Sequence, residues 1–136
     1  MLVNQIMSQN LHTVNPDDNL ALLSKTFNDV SYHHLPVVDA DNTLLGIISD
    51  RDVTRNISPF IGTDSERDCD RELLKKTAAD IMSSDPISVA ETSRIETASI
   101  LLLENNFSCL PVVDDEGKIE GLLTWKDILN YHIYSD

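Results

Sequence analysis

Two stretches of this chain hold a hydroxyl, a cation and a carboxylate at one spacing: Gly46-Ile47-Ile48-Ser49-Asp50-Arg51-Asp52 and Gly121-Leu122-Leu123-Thr124-Trp125-Lys126-Asp127. Each reads glycine, two aliphatics, a hydroxyl, any residue, a cation, aspartate. At a strand-to-helix junction, a hydroxyl followed three places later by a carboxylate is a capping box, and a box needs no ligand. A cap does not call for the cation in both copies, nor for a glycine closing in on a strand. Those extras suit a ligand: the helix N-terminus with Arg51 or Lys126 faces phosphate, and Asp52 or Asp127 accepts from two ribose hydroxyls.

Other candidate chemistry is thinner. His33 and His34 are adjacent, so in extended chain they point to opposite faces, and no third ligand follows at metal spacing; no metal is expected. His34 is either a structural histidine or a pH-sensitive edge of a ligand pocket. Cys109 has no base partner at a recognisable position, so no catalytic thiol is expected. No carboxylate pair stands out from the acidic background as a hydrolase would need. Trp125 is either a lid over a site or a packing residue.

The elements that must position these residues come from a repeat. Shifted by 75 positions, Ile6 to Ile57 falls on Ile81 to His132 without a gap, and 12 of the 52 pairs are identical. Ile-Met-Ser at 6 to 8 and 81 to 83 leads, Leu-Pro-Val-Val-Asp at 35 to 39 and 110 to 114 follows, then the two motifs. Each copy reads strand, helix, strand, strand, helix. A short strand at His12 to Val14 (Ile87 to Val89) precedes a helix, which in the first copy starts at Asn15-Pro16-Asp17-Asp18. Leu20, Leu23, Phe27 and Val30 form its apolar stripe, matched by Ile95, Ala98 and Leu102. Leu35 to Val38 and Leu44 to Ile48 make a hairpin turning at Ala40-Asp41-Asn42; Leu110 to Val113 and Ile119 to Leu123 turn at Asp115-Glu116-Gly117. A last helix starts near Thr124. The domain reading is 1–57 for the first repeat, 58–79 for a connector with a leading helix over Arg71 to Ile81, and 80–136 for the second repeat. Lys25, Thr26 and Asn28 correspond to Ile100, Leu101 and Leu103, so the second copy carries an apolar face that the first lacks. Either the connector or terminal helix covers that face, or a second copy of the chain does.

Composition bounds the partners. The 136 residues are 41% hydrophobic, enough for a core, and carry a formal net charge of −13 with a pI near 4.4. That field repels nucleic acid and anionic membrane, and weakens free polyanions unless cations or Mg²⁺ offset it. No signal or membrane-spanning segment is read, and Cys69 and Cys109 fit reduced thiols, so a cytoplasmic protein is expected.

Together, the paired Leu-Pro-Val-Val-Asp and Gly-x-x-Ser/Thr-x-x-Asp motifs resemble the CBS domain, here as a tandem pair (a Bateman module) over nearly the whole chain. More narrowly, the opening Leu2 to Ser8 and Ser58-Pro59 resemble stand-alone bacterial pairs of the acetoin-utilisation type. The resemblance implies an α/β (α+β) fold of two βαββα repeats packed through their sheets with pseudo-twofold symmetry and clefts at the seam. It implies an adenosyl ligand: AMP, ADP, ATP or S-adenosylmethionine, with Mg²⁺ possible beside a nucleotide. By position, Ser49 and Asp52, and Thr124 and Asp127, would hold phosphate and ribose, while Arg51 and Lys126 approach phosphate. Thr13-Val14 or Ser88-Val89 would frame adenine, with Tyr32, His34, Leu35 and Pro36, or Cys109, Leu110 and Pro111. His34 and Cys109 stand where many relatives carry a basic residue, which argues against tight binding of free triphosphate and for unequal sites. The expected function is regulatory rather than enzymatic: a ligand-binding module, expected to be a homodimer, that signals to a protein partner. The alternative is an interaction or dimerisation module with vestigial clefts.

Overall fold

The computed structural model describes residues 1–30 and 32–134. The chain divides into two compact units, His12–Ala40 with Leu45–Asp85, and Met1–Leu11 with Asp41–Leu44 and Pro86–Asp136. They are called the first and second unit below, after the repeat whose motif each contains.

The first unit contains α1 (Leu20–Asp29), β1 (His34–Val38), β2 (Leu44–Ser49) but for its first residue, α2 (Asp50–Asn56), α3 (Asp68–Glu72), α4 (Ala78–Ile81) and β3 (Ser83–Ser84). Its sheet runs β1-β2-β3. On the free edge of β1, Val14 makes a parallel bridge to Val37, so the strand expected at His12 to Val14 shrinks to one bridged residue. The second unit contains β4 (Val89–Ala90), α5 (Ile95–Asn105), β5 (Cys109–Val113), β6 (Ile119–Thr124) and α6 (Trp125–Tyr134), with sheet order β4-β5-β6. β4 is parallel to β5, as a helical crossover through α5 requires. β5 and β6 then form an antiparallel hairpin. Both hairpins turn through a left-handed residue at equivalent positions, Asn42 at φ 67° and Gly117 at φ 82°, residue types that tolerate this region.

Each unit has its own core. In the first, Val14, Leu20, Leu23, Leu35, Val37, Ile48, Val53 and Ala78 are buried together; in the second, Val3, Met7, Val89, Ala98, Leu102, Leu110, Val112, Leu123 and Ile128. From the helical stripes read from the sequence, Leu20 and Leu23 enter the first core with Phe27 packed against it, and Ala98 and Leu102 enter the second; Val30, the C-cap of α1, lies outside them. At about 1.5–3 kcal/mol for each large side chain removed from water, they dominate the favourable side of folding.

The repeat in sequence and the unit in space are out of phase. The leading segment of the first copy joins the second unit: Val3 N–H donates to the Ser93 carbonyl at 2.8 Å, and Ser8 and Leu122 exchange backbone bonds at 2.8 and 3.0 Å. The leading segment of the second copy supplies β3, which pairs with β2 as Gly46 with Ser84 and Ile47 with Ser83. This exchange explains the two conserved-in-repeat glycines. A Cβ on Gly121 would sit 2.7 Å from Met7 Sδ and 2.9 Å from the Ser8 carbonyl oxygen; one on Gly46 would sit 2.5 Å from Met82 Sδ and 2.7 Å from the Ser83 carbonyl oxygen. The glycines therefore answer to the methionine of the crossed leading segment, and the ligand-based reason for them falls away.

Two local expectations are corrected. Asn15 and Asp18 do make cap-like bonds, Asn15 N–H to Asp18 Oδ2 at 3.0 Å, but they close a separate turn. The Pro16 and Asp18 carbonyls accept from Ala79 and Ala78, which fixes residues 15–18 outside the helix, and Asn19 caps α1 by accepting from Leu22 N–H at 2.9 Å. The helix expected over Arg71 to Ile81 is broken into α3, a 3₁₀ turn at Leu73–Lys75 and α4. Here Leu20 N–H and Lys76 carbonyl bond at 2.7 Å, drawing the chain extended between the helices. The connector is also pinned, because Ser58 Oγ donates to Asp70 Oδ1 at 2.7 Å with both residues buried. That bond and the Arg67 N–H hold the Asp70 carboxyl below its usual range.

The apolar face of α5 is not covered by the connector: Ile100 is 52% and Leu103 61% exposed. Leu129 and Ile133 of α6 in the same unit are exposed as well.

Candidate functional site

The motif residues lie where β2 passes into α2 and where β6 passes into α6. In the first unit, Asp52 N–H donates to Ser49 Oγ at 3.1 Å and Ser49 N–H donates to Asp52 Oδ2 at 2.8 Å, a full capping box. In the second, Thr124 N–H donates to Asp127 Oδ2 at 2.9 Å, and Asp127 N–H to Thr124 Oγ1 at 3.3 Å. The cap is real in both copies. It uses one carboxylate oxygen, Oδ2, and leaves Oδ1 outside the box, so capping and ligand binding need not compete for the same lone pairs.

The hydroxyls differ. Thr124 Oγ1 also donates to Asp127 Oδ2 at 3.1 Å, which commits its proton to the cap. Ser49 only accepts within its box, and its O–H is left to donate elsewhere. Arg51 and Lys126 are exposed, and neither is in an ion pair among the described residues.

The strands bring further residues to these junctions. Val14 N–H donates to the Pro36 carbonyl at 3.0 Å, and Val38 N–H to the Val14 carbonyl at 2.9 Å, so Thr13-Val14 runs beside Leu35-Pro36. Val89 pairs with Val112 in the second unit, setting Ser88-Val89 beside Leu110-Pro111. Leu35 and Leu110 are fully buried in the two cores, and Pro36 is buried too; these residues offer backbone, not side chains, to any ligand. Cys109 pairs with Thr124 across β5 and β6. Burial, with the Asp127 charge adding to it, pushes the Cys109 thiol up to about 12, so it stays protonated and is not a nucleophile.

Two contacts escaped the sequence. In the first unit, Asp50 N–H donates to the His33 carbonyl at 3.0 Å, and His33 Nδ1 lies 2.9 Å from Asp50 Oδ2. The His33 ring holds the Asp50 carboxyl below its usual range. In the second, Trp125 N–H donates to the Ser108 carbonyl at 3.4 Å, and its indole Nε1 donates to the Phe107 carbonyl at 2.9 Å. Both motifs are thus tied to the segment before the first hairpin strand through their variable residue, by a titratable pair in one unit and a neutral indole in the other. The signal was the shared offset: 33 with 50 and 108 with 125 are the same pair in the two copies. Trp125, 36% exposed, is a tether rather than a free lid. His34 is half-buried, and burial lowers its pKa against the raising influence of Asp50 and Asp52.

The CBS domain family matches residues 3–59 and 78–134. A CBS domain-containing protein of Dictyostelium discoideum is 37% identical over 131 residues, covering 96% of this chain and 90% of that one. The solved structure of CBSX2 in complex with AMP, a protein of Arabidopsis thaliana, superposes with a TM-score of 0.82 at 30% identity, covering 97% and 96% of the two chains. A CBS domain pair in complex with 5-methylthioadenosine and S-adenosyl-L-methionine gives a TM-score of 0.82 at 26% identity, covering 100% and 98%. No helix among the described residues is long and apolar enough to cross a membrane. Two copies of one motif, each capping a helix with a carboxylate oxygen to spare, and a family match over both repeats lead to one conclusion: the chain belongs to the CBS domain family, as a tandem pair.

Proposed function

We propose that the pair binds an adenosyl ligand as a regulatory, non-catalytic module. The observation that carries this is the second oxygen: both Asp52 and Asp127 satisfy their caps with Oδ2 alone, beside a cation in each copy that has no ion pair among the described residues. A carboxylate so held is preorganised to accept from ribose hydroxyls, while Arg51 with the Ser49 hydroxyl, or Lys126, meets phosphate. Thr13-Val14 or Ser88-Val89, with Tyr32, His34 and the Leu35-Pro36 backbone or with Cys109 and the Leu110-Pro111 backbone, would frame the base. The complexes of related pairs with AMP and with S-adenosyl-L-methionine support the ligand class. The charge of −13 favours AMP-like or Mg²⁺-complexed ligands over a free triphosphate.

A thermal-shift panel of AMP, ADP, ATP with and without Mg²⁺, and S-adenosylmethionine tests the reading. A ligand at a hundredfold over its Kd adds about 2.7 kcal/mol to the native state, so at least one should raise Tm clearly. No shift with any of them sinks it.

A second reading, an interaction module, is favoured by the exposed Ile100, Leu103, Leu129 and Ile133, an apolar face of the kind that marks a contact surface. We propose that a second copy of the chain covers it, and that ligand binding is relayed through that dimer to a regulated protein in the cytoplasm. Sedimentation should then show a dimer that Leu103→Asp converts to monomer; a monomeric wild-type chain removes the dimer.

A further inference from the structure

The two candidate sites differ in what they can titrate. Around the first motif stand His33 and His34 at the start of β1, and Asp50, Arg51 and Asp52 at the start of α2. The equivalent positions around the second are Ser108, Cys109, Trp125, Lys126 and Asp127. With the His34 imidazole neutral, Asp50 and Asp52 outweigh Arg51 by one negative charge, an unfavourable setting for phosphate. A charged His34 imidazole cancels that excess. At the second site Lys126 offsets Asp127 at any pH near neutrality, because the buried Cys109 thiol stays protonated.

The geometry couples these groups. His33 Nδ1 lies 2.9 Å from Asp50 Oδ2, and the Asp50 N–H bond to the His33 carbonyl holds the two segments together. His34, the next residue, is half-buried and feels His33 from its own strand and Asp50 and Asp52 from α2. Burial favours its neutral ring in the free protein. An anion brought against it would favour the imidazolium, since an opposite charge within a few ångströms stabilises the charged form.

Resting on the adenosyl reading above, we propose that the first site takes up a proton on His34 when it binds a phosphate-bearing adenosyl ligand, while the second site binds without proton uptake. Acidification over about one to two units around neutrality, the range in which histidine charges, then strengthens the first site alone. Uptake of one proton corresponds to about tenfold in affinity per pH unit. The pair thereby reports ligand level at one site and ligand level combined with pH at the other.

Titration calorimetry of the full chain with AMP at pH 7 tests this in two buffers of different ionisation enthalpy. The wild-type binding enthalpy should differ between buffers by the amount for about one proton taken up, the linkage expected of a histidine site. His34→Asn should abolish the difference, and Cys109→Ser should keep it. A binding enthalpy identical in both buffers overturns the proposal while leaving the adenosyl reading intact. So does proton uptake that persists in His34→Asn, or that survives loss of the first site in Asp52→Asn. Absence of any binding heat, with no thermal shift for AMP, overturns the adenosyl reading and this proposal with it. The wild-type buffer comparison needs no variant to fold.

Discussion

Replacing Gly121 with valine is expected to destabilise the chain by about 3 kcal/mol, the upper part of the range for overpacking, and to lower Tm by about 10 °C for a chain of this size. The Cβ would meet Met7 Sδ at 2.7 Å and the Ser8 carbonyl at 2.9 Å. A methionine tip can swing aside. The carbonyl cannot, because Ser8 is held to Leu122 by two backbone bonds. Gly46 is tighter still, with Met82 and the Ser83 carbonyl in the same roles, and Gly46→Val should cost at least as much. The pattern of coupling is the sharper test. In double-mutant cycles, Gly121→Ala should couple to Met7→Ala and add simply with Met82→Ala; Gly46→Ala should do the reverse. Coupling between each methionine and the glycine of its own repeat would contradict the exchange.

The second large effect concerns the carboxylates. Asp52→Ala removes a capping acceptor, worth about 1 kcal/mol of stability, and a charged hydrogen-bond acceptor for the ligand, worth about 1.5–3 kcal/mol or roughly 10–100-fold in affinity at the first site. Asp52→Asn separates the two. Its side-chain carbonyl still accepts from Ser49 N–H, so Tm should stay near the wild-type value while AMP affinity at that site falls at least tenfold, as expected for a lost charge-assisted bond. Asp127→Asn should do the same at the second site, where the Thr124 hydroxyl keeps an acceptor. If the asparagine variants bind AMP as the wild type does, both aspartates are caps only.

Why the sequence revealed some of this and not the rest is physical. The helical stripes, both hairpins and the two motif junctions were legible because each rests on local spacing: Leu20 and Leu23, or Ile95, Ala98 and Leu102, fall on one face whatever lies nearby. The start of α1 was misplaced by four residues because Asn15 and Asn19 carry the same cap chemistry locally. Bonds from Ala78 and Ala79, some sixty positions away, choose between them. The segment from Arg71 to Ile81 was read as one helix because nothing local shows that the Lys76 carbonyl will be drawn to Leu20. The ties from His33 to Asp50 and from Ser108 to Trp125 join unlike residue types, so no motif marks them; only the shared offset could have. The glycines were noticed for the right reason, close approach, and assigned to the wrong neighbour, since a repeat says which residue types meet and not which copy supplies them.

That crossing of leading segments has a consequence for the sheet edges. β6 and β2 are each the last full-length strand of a sheet, and a bare edge of that kind offers unpaired backbone groups to any other chain. The Ser8 bridge closes one and β3 closes the other, each supplied by the copy that does not own the edge. Removing the first eleven residues would thus leave the first repeat's own sheet closed and strip the cover from the second's. The opening segment of this chain is a guard against wrong pairing, posted on the far repeat.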